Sequence, residues 1–527
     1  MTSPAGVEFG PYSSAAPFFG AVPNWVLNKD DQDRLRAYEV YQKMYWTEPG
    51  SFLLQKRGED TREVQIPSFR KMVEATNQFL AVDFDYTFDP EKGTDGDRKK
   101  YKDFLDKLFS RENFWGTRGS VKRNMLKLGD AFIHITGDDT KEAGRRISIE
   151  EVQAENVFWI HNGERLVGVH LAERIKDPRD ADGIKRIVKR QTYRKQFSEP
   201  DEEGRVVLEG ITTELGFYEL DAWDDRVESV ELKTVVHSTL KPRPASILED
   251  IMSLPVYHYD NIKWGRHPYG ISEMRGMESA ISAVNQSLTD EDLTLVMQGL
   301  GVYWTNAGPP EDAEGNETAL EIGPGVVLEV PDGNSVGRLN GVGSVAPMID
   351  HMRFILEEGG AALGVSGAAA GKVDVQVAES GISLYLQLGP MIAKNAEKEL
   401  NILGKDNQLG YDLLNYWLPA YEEDFGGPGA DSAPVTIKFI VGDAIPVNRV
   451  AVYEEIIALS DANLILTEMA VDVLTRKLGY EFPENAAELL MEQQKKKTEA
   501  ATPVDPFADR AAQEQQPGAG GEDADTE

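Results

Sequence analysis

The amino-acid sequence predicts an α+β fold that is divided into several packed units. The chain has 527 residues, which is too long for one hydrophobic core, and 41% of them are hydrophobic. Apolar residues recur at helical spacing near both ends and in the middle of the chain. Between residues 130 and 236, by contrast, short β-branched and aromatic runs alternate with turn signals. Helices, a sheet and further helices should therefore follow one another.

The chain should open with an arm and four helices. Residues 1–30 have no sustained apolar period. Helical spacing then occurs in four segments: residues 34–46, 66–81, 101–109 and 121–128. The strand-like runs that follow predict a largely antiparallel sheet.

The densest basic cluster lies in one of these strand-like runs. It comprises Lys185, Arg186, Lys189, Arg190, Arg194 and Lys195. Its alternation with apolar residues fits a solvated strand face, a contact with another subunit or a contact with DNA. The first two interpretations are favoured.

The bulk charge is strongly negative, with 89 acidic against 55 basic residues and a net charge of −34. A protein that grips DNA tightly offers a concentrated basic face, because counterion release supplies most of the non-specific affinity. The chain as a whole lacks such a face. Its acidity either keeps the protein soluble or lines a passage that repels DNA.

No grouping of residues predicts catalysis. The absence of cysteine excludes disulfides and cysteine-ligated zinc. The seven histidines are scattered, and His134 and His170 lie in strand-like runs where a structural role is expected. We therefore predict no cofactor, no metal site, no enzyme activity and no membrane contact. An acid-based hydrolase, either a glycosidase or a metal-dependent nuclease, remains the alternative because carboxylates are abundant.

The stretch from Gly270 to Leu403 should form three helices separated by an insertion and a loop. In the first helix, apolar residues recur at alternating spacings of three and four: Met274, Met277, Ile281, Val284 and Leu288. The second covers residues 346–364, where Pro347 suits a first helical turn. The third begins at Gly381, and the Gly389-Pro390 pair should kink or break it.

The insertion between the first two helices is rich in Gly and Pro, and Arg338 is its one base. Two runs, VYWTN and VVLEV, predict strands around a loop. The acids of the insertion are Glu311, Asp312, Glu314, Glu317, Glu321, Glu329 and Asp332. Such a segment forms either a surface hairpin or a lobe that pairs with its copy in another subunit.

The loop between the second and third helices, residues 365–380, is built from small residues. Its one base, Lys372, follows a run of five: Gly367, Ala368, Ala369, Ala370 and Gly371. Low side-chain bulk lets the backbone move and approach another molecule, although a surface loop with one solvated lysine fits equally. A phosphate-binding loop is excluded, because the preceding glycine is one position too near and Val373 replaces the required Ser or Thr.

The C-terminal part should add a helix, a strand and two more helices. Aromatics recur at helical spacing in LGYDLLNYWLPAYEEDF, and VTIKFIV predicts a strand. Helical runs follow in RVAVYEEIIALSDANLILTEMAVDVLTRKLGY and ENAAELLMEQQKKK. From Thr498 the apolar period is lost, so the acidic tail should be disordered.

Four short motifs punctuate the central stretch: Tyr269-Gly270-Ile271-Ser272, Ala283-Val284-Asn285, Gly323-Pro324-Gly325 and Glu379-Ser380-Gly381. With them, the order of helix, insertion, helix, loop and helix resembles the centre of the portal proteins of tailed bacteriophages of the siphovirus type. In that family a stem helix, a clip, a second stem helix, a tunnel loop and a long wing helix follow one another. This order fits residues 270–403 without gaps.

The resemblance implies an α+β portal-type subunit with a wing, a helical stem, a β-containing clip and a helical crown. It divides the chain into an N-terminal arm (1–30), the wing (31–265), a stem helix (266–299), the clip (300–345), a second stem helix (346–364), the tunnel loop (365–380), the long wing helix with the rest of the wing (381–445), the crown (446–492) and a disordered acidic tail (493–527).

The resemblance also implies where functional residues lie. The stem would contain Met274, Met277, Ile281 and Val284. The tunnel loop facing the DNA channel would contain Gly367, Ala369, Gly371 and Lys372. The clip, where the packaging motor docks, would contain Glu311, Asp312, Glu314 and Glu317.

The implied assembly is a closed ring of about twelve copies at one capsid vertex of the virion, assembled in the host cytoplasm. Double-stranded DNA would pass through the ring during packaging and ejection. The implied partners are the terminase large subunit, the major capsid and scaffolding proteins, and a head-completion or adaptor protein. For such a ring, the acidic composition favours a passage that repels DNA.

Overall fold

The structure is a computed structural model that describes these residues: 29–52, 54–55, 63–80, 84–88, 95–162, 165–199, 206–219, 234–263, 265, 267–300, 302–306, 333–339, 345–365, 381–422, 434–441, 449–461, 469–471, 473–474 and 486–501. The chain falls into two compact units, Met1–Ala444 and Ile445–Glu527. The first unit contains both helices and strands, which confirms the α+β class.

All four predicted N-terminal helices are present: α1 Lys29–Trp46, α2 Ser68–Gln78, α3 Asp95–Arg111 and α4 Phe114–Leu128. The apolar spacing of α1 buries one stripe, formed by Leu35, Tyr38, Tyr41 and Met44. At the end of α4, Gly129 has a φ of 101°, a conformation that favours glycine. The expected arm lies outside the described residues except for its last two, which begin α1.

Two antiparallel sheets follow the helices. The first has the order β3-β2-β9 and consists of β2 Asp130–Gly137, β3 Ile147–Val152 and β9 Val256–Asp260. The second has five strands in sequence order: β4 Val157–Asn162, β5 Arg165–Lys176, β6 Arg186–Phe197, β7 Leu208–Glu219 and β8 Arg243–Leu248. The prediction of an antiparallel sheet is confirmed. The run VELKTVV contributes only an isolated bridge from Thr234 to Tyr218 within the described residues.

A two-stranded ladder joins distant parts of the first unit. β1 Phe84–Phe88 pairs antiparallel with β12 Ile437–Val441. Phe439 packs against the rings of Tyr86 and Phe109 at centroid distances of 5.9 and 6.2 Å. The sequence predicted β12 and missed β1, although the aromatic residues of FDYTF alternate with polar ones and Asp89-Pro90 follows as a turn signal.

The central stretch contains α5 Glu278–Leu300, β10 Val302–Thr305, β11 Val336–Leu339, α6 Ala346–Ala362 and α7 Gly381–Asp412. β10 pairs antiparallel with β11, whereas the run VVLEV that was expected to supply a strand lies outside the described residues. α7 continues through Pro390, so of the predicted kink or break the break does not occur. Its buried residues from Leu388 onward hold it against the rest of the unit despite the missing backbone donor.

A π-helical turn at Leu413–Trp417 and α8 Leu418–Tyr421 follow α7, and the aromatic Trp417 is buried. The second unit contains both predicted helices, α9 Arg449–Asp461 and α10 Ala486–Ala501. Because α10 extends to Ala501, the disordered tail cannot begin at residue 493 as expected. Glu, Gln, Lys and Ala, which are good helix formers, prolong the helix.

Candidate functional site: the helix hairpin and its base

The structure tests only part of the predicted site. The clip acids Glu311, Asp312, Glu314 and Glu317 lie outside the described residues, and so do Gly367, Ala369, Gly371 and Lys372 of the tunnel loop. The stem residues are described and buried. Of these, Ile281 and Val284 lie in α5, whereas Met274 and Met277 precede it, because the chain forms turns up to Gly276, whose φ is 90°.

α5 and α6 form an antiparallel hairpin that the β10–β11 ladder joins at its far end. The antiparallel direction follows from Gly359, near the end of α6, which lies against Met277 just before α5. A Cβ atom at Gly359 would overlap the Met277 Cε. The 23 residues of α5 span about 35 Å. The glycine at this position leaves room for the Met277 side chain.

The hairpin is embedded at its base and exposed farther out. Near the start of α5, Ile281 and Val284 are each 1% exposed. Farther along the same helix, Leu295 and Val296 are each 48% exposed, and Phe354 of α6 is 60% exposed. The outer part of the hairpin therefore exposes large apolar side chains that its base does not.

Polar side chains of α5 bind an extended segment ahead of α2. The Asn285 Oδ1 accepts a hydrogen bond from the Ile66 N–H at 2.9 Å, and the Thr289 Oγ1 accepts one from the Val64 N–H at 3.1 Å. Both side chains are fully buried. Sequence reasoning missed this contact, although polar residues at positions that continue an apolar stripe were a signal for it.

The segment Tyr269–Glu273 fastens the base of the hairpin to the end of α4. The Ser272 Oγ–H donates to the Lys127 carbonyl at 2.7 Å, and the Glu273 N–H donates to the Leu126 carbonyl at 3.0 Å. These bonds satisfy carbonyls that the last turn of a helix leaves free. Gly270 crosses Gly129 so closely that a Cβ atom at either position would meet backbone atoms of the other segment. The Tyr-Gly-Ile-Ser motif therefore has a structural reason.

Asp130, at the start of β2, organises the polar groups under this crossing. Its Oδ1 accepts a hydrogen bond from the Gly270 N–H at 2.6 Å and lies 2.6 Å from the His258 Nε2. The Tyr38 O–H donates to its Oδ2. Burial, followed by the negative charge of Asp130, raises the pKa of Tyr38. The carboxylate thus joins α1, β9 and the segment that leads to α5.

Two lysines of α7 clamp the base of the hairpin. The Glu273 carboxylate is 1% exposed, accepts a hydrogen bond from Lys398 Nζ at 2.6 Å and forms an ion pair with Lys394 Nζ. Lys394 Nζ also donates to the Leu363 carbonyl, just beyond the end of α6. Burial would raise the pKa of Glu273, but Lys398 and Lys394 lower it below its usual value. One helix therefore holds both ends of the hairpin's base.

A second buried ion pair holds α7 against α4. The Arg118 guanidinium is fully buried and donates to the Asp406 Oδ2 at 2.6 Å and to the Glu399 Oε1 at 3.1 Å. The Tyr259 O–H also donates to Asp406, at 2.9 Å. Burial raises the pKa of Asp406, although Arg118 opposes the change. These contacts hold α7 in place along its length.

The basic cluster of β6 is divided between the two faces of its strand. Arg190 is buried, stacks on the Tyr218 ring at 4.6 Å and donates to the Tyr218 O–H at 2.8 Å. Lys189 lies on the other face and pairs with Glu173 at 3.3 Å. Arg194 lies on the same face as Arg190 but is exposed. The alternation therefore produces no single basic surface on this strand.

The two histidines with an expected structural role lie in strands, His134 in β2 and His170 in β5. His170 Nδ1 lies 2.8 Å from the Thr192 Oγ1, and His134 Nε2 lies 3.0 Å from the Tyr193 O–H. In the described part of the chain, no three His, Asp or Glu side chains come together as metal ligands. None of the described helices has the length and apolarity to cross a membrane.

No protein-family model matches the chain, and no curated protein sequence matches it.

Proposed function

We propose that the chain is a portal subunit of a tailed bacteriophage. About twelve copies form a ring at one capsid vertex, and the hairpin of α5 and α6 lines the channel wall. The observation that carries this proposal is the projecting antiparallel hairpin, interrupted at its far end by a β ladder and anchored at its base to a mixed α and β body. The exposed Leu295, Val296 and Phe354 then contact neighbouring copies.

In this function the protein conducts DNA and does no chemistry. A separate terminase hydrolyses ATP and pushes the duplex through the ring. The acidic composition keeps the polyanion from adhering to the wall. Lys372 is repeated around the bore and contacts phosphates transiently, while the clip acids dock on a basic surface of the motor.

Electron microscopy of the purified chain tests the assembly. Negative-stain images should show rings with a central hole. Solitary globules without a hole would overturn the proposal. A monomer whose activity on a polysaccharide or on DNA is lost when one carboxylate is removed would support a hydrolase instead.

Deleting residues 367–376 tests the tunnel loop. Because the deletion leaves the hairpin and its base intact, rings should still assemble, whereas packaging or retention of DNA should fall. Assembly is measured by electron microscopy and packaging by protection of DNA from nuclease. Normal packaging by the deletion variant would count against a role for the loop.

Reversing the charge at Glu311, Asp312 and Glu314 tests the clip. If these acids dock on basic groups of the motor, their replacement by Lys should weaken terminase binding and leave ring assembly unchanged. Binding is measured with purified terminase at two salt concentrations, since ionic contacts weaken as salt rises. Unchanged binding would exclude this docking surface.

A further inference from the structure

A pocket of about 390 Å³ lies where the five-stranded sheet, β9 and α7 meet. Part of its wall is apolar and includes Trp159, Leu166, Leu254 and Val256. Its volume is at the lower end of the range for small-molecule sites, which corresponds to a ligand about the size of one ring. The pocket thus has room for a compact molecule and offers it an apolar patch beside polar groups.

The charge of this pocket is opposite to that of the whole chain. Its described lining residues include Lys195 and Lys405 but no Asp or Glu, although acids outnumber bases by 89 to 55 in the sequence. A second pocket, of about 300 Å³, is different, because three acids line it, Glu150, Glu151 and Glu173, against one base, Lys189. The cationic character is therefore specific to the larger pocket.

Both lysines lack a charged partner in the described structure, where neither forms an ion pair. Lys405 is half-buried, and burial lowers the pKa of its ammonium. Asp260 opposes this change, but Asp260 already pairs with Lys263 at 3.5 Å. An ammonium that is partly withdrawn from water and shares one carboxylate with a second lysine is incompletely balanced. An anion in the pocket would restore the balance.

The other polar groups of the wall are held by carboxylates behind it. The Ser253 O–H and the Tyr257 O–H each donate to the Asp412 Oδ2 at 2.7 Å. His258 Nε2 lies 2.6 Å from Asp130. These contacts occupy the groups that would otherwise bind a ligand. Besides the two lysines, the exposed His161 and Gln408 are available at the rim.

We propose that this pocket binds a small organic oxyanion, with its carboxylate or phosphate group on Lys195 and Lys405 and its apolar body against Trp159. The two lysines supply charge-assisted hydrogen bonds. The wall of Trp159, Leu254 and Val256 supplies contact area. The proposal requires no residue from a second copy of the chain.

Calorimetric titration of the full chain tests the site with four probes: benzoate, its uncharged analogue benzamide, phenyl phosphate and inorganic phosphate. Benzoate and phenyl phosphate should bind more tightly than benzamide if charge is recognised. Phenyl phosphate should bind more tightly than inorganic phosphate if the apolar wall contributes. Equal affinity within either pair, or no binding by any probe up to about 10 mM, would overturn the proposal.

Substitution of the lysines locates the contact. Lys195→Met and Lys405→Met should each weaken benzoate binding about tenfold or more, as expected when a charge-assisted hydrogen bond is lost. Lys189→Met is the matched control, because Lys189 lies on the same strand as Lys195 but pairs with Glu173. Unchanged affinity in both pocket variants would assign the binding elsewhere and contradict the proposal.

Stability without ligand provides a second measurement. Since burial disfavours the ammonium of Lys405, Lys405→Met should unfold at the same or a higher urea midpoint than the parent chain. A lower midpoint would show that the ammonium is already compensated, which would remove the reason for an anion at this position.

Discussion

Replacing Glu273 by Gln should destabilise the first unit, because it removes the negative charge that pairs with Lys394 and Lys398. The Glu273 side chain is 1% exposed, and the Lys398 side chain, 2.6 Å away, is 6% exposed. Breaking a buried pair by removing one partner costs about 3–5 kcal/mol. Lys394 is 27% exposed and also binds the Leu363 carbonyl, so Lys394→Met should cost only about 1 kcal/mol.

Urea unfolding of the purified variants measures these differences. Glu397→Gln is the matched control, because Glu397 lies on the exposed side of α7 and its change should stay within about 0.5 kcal/mol. The double variant Glu273→Gln with Lys398→Met should recover part of the loss, since it removes the unpaired ammonium. A cost for Glu273→Gln that equals the control would refute the reasoning.

The effect of Glu273→Gln should also depend on pH. Lys398 and Lys394 hold the pKa of Glu273 below its usual 4.5 despite burial. The unfolded chain then binds the proton more readily than the folded chain, so the carboxylate stabilises the fold above pH 4.5. The advantage of the parent chain over the variant should disappear as the pH falls through the lowered pKa. An advantage that stays constant across this range would contradict the assignment.

Two further predictions concern the sheet and the glycine crossing. Burial, together with Arg190 and Arg194, lowers the pKa of His170 to about 3, so between pH 7 and pH 5 the parent chain should lose about 2 kcal/mol more than His170→Gln. Urea midpoints at both pH values measure this loss, and His351→Gln, at an exposed position, is the control. An equal loss of stability between pH 7 and pH 5 in the parent chain and in His170→Gln would contradict the prediction. Gly270→Ala should cost about 2 kcal/mol or more, because the new methyl group meets the Gly129 backbone. Gly404→Ala is the control, because a Cβ atom at Gly404 would meet no other atom within 4 Å. It should stabilise α7 by up to about 1 kcal/mol. Equal thermal midpoints for the two variants would show that the crossing of Gly270 and Gly129 does not require glycine.

Helical spacing located the helices well and their ends less well. Met274 and Met277 continue the period of α5, yet they precede it. Both are buried because the Tyr269–Glu273 segment is bound to the end of α4. A pattern of apolar residues records burial, and it does not tell whether a helix or a bound turn produces that burial.

The contacts at the base of the hairpin had weaker signals in the sequence. Asn285 and Thr289 interrupt an apolar stripe, which indicates buried partners but does not identify the segment that supplies them. Glu273 and Lys398 are 125 positions apart, so no local pattern connects them. Pro390 shows a different limitation, since the local rule allows either a kink or a break and does not decide that the helix continues.

The ladder between β1 and β12 also constrains how the protein is made. Its two strands are about 350 positions apart, and a ribosome that adds about 5–20 residues per second needs about 20 to 70 s to synthesise the intervening chain. During that time Phe84–Phe88 has no partner strand, and the rings of Tyr86 and Phe109 lack their contact with Phe439. The nascent chain therefore presents an unpaired edge to its surroundings until nearly the whole first unit has been translated.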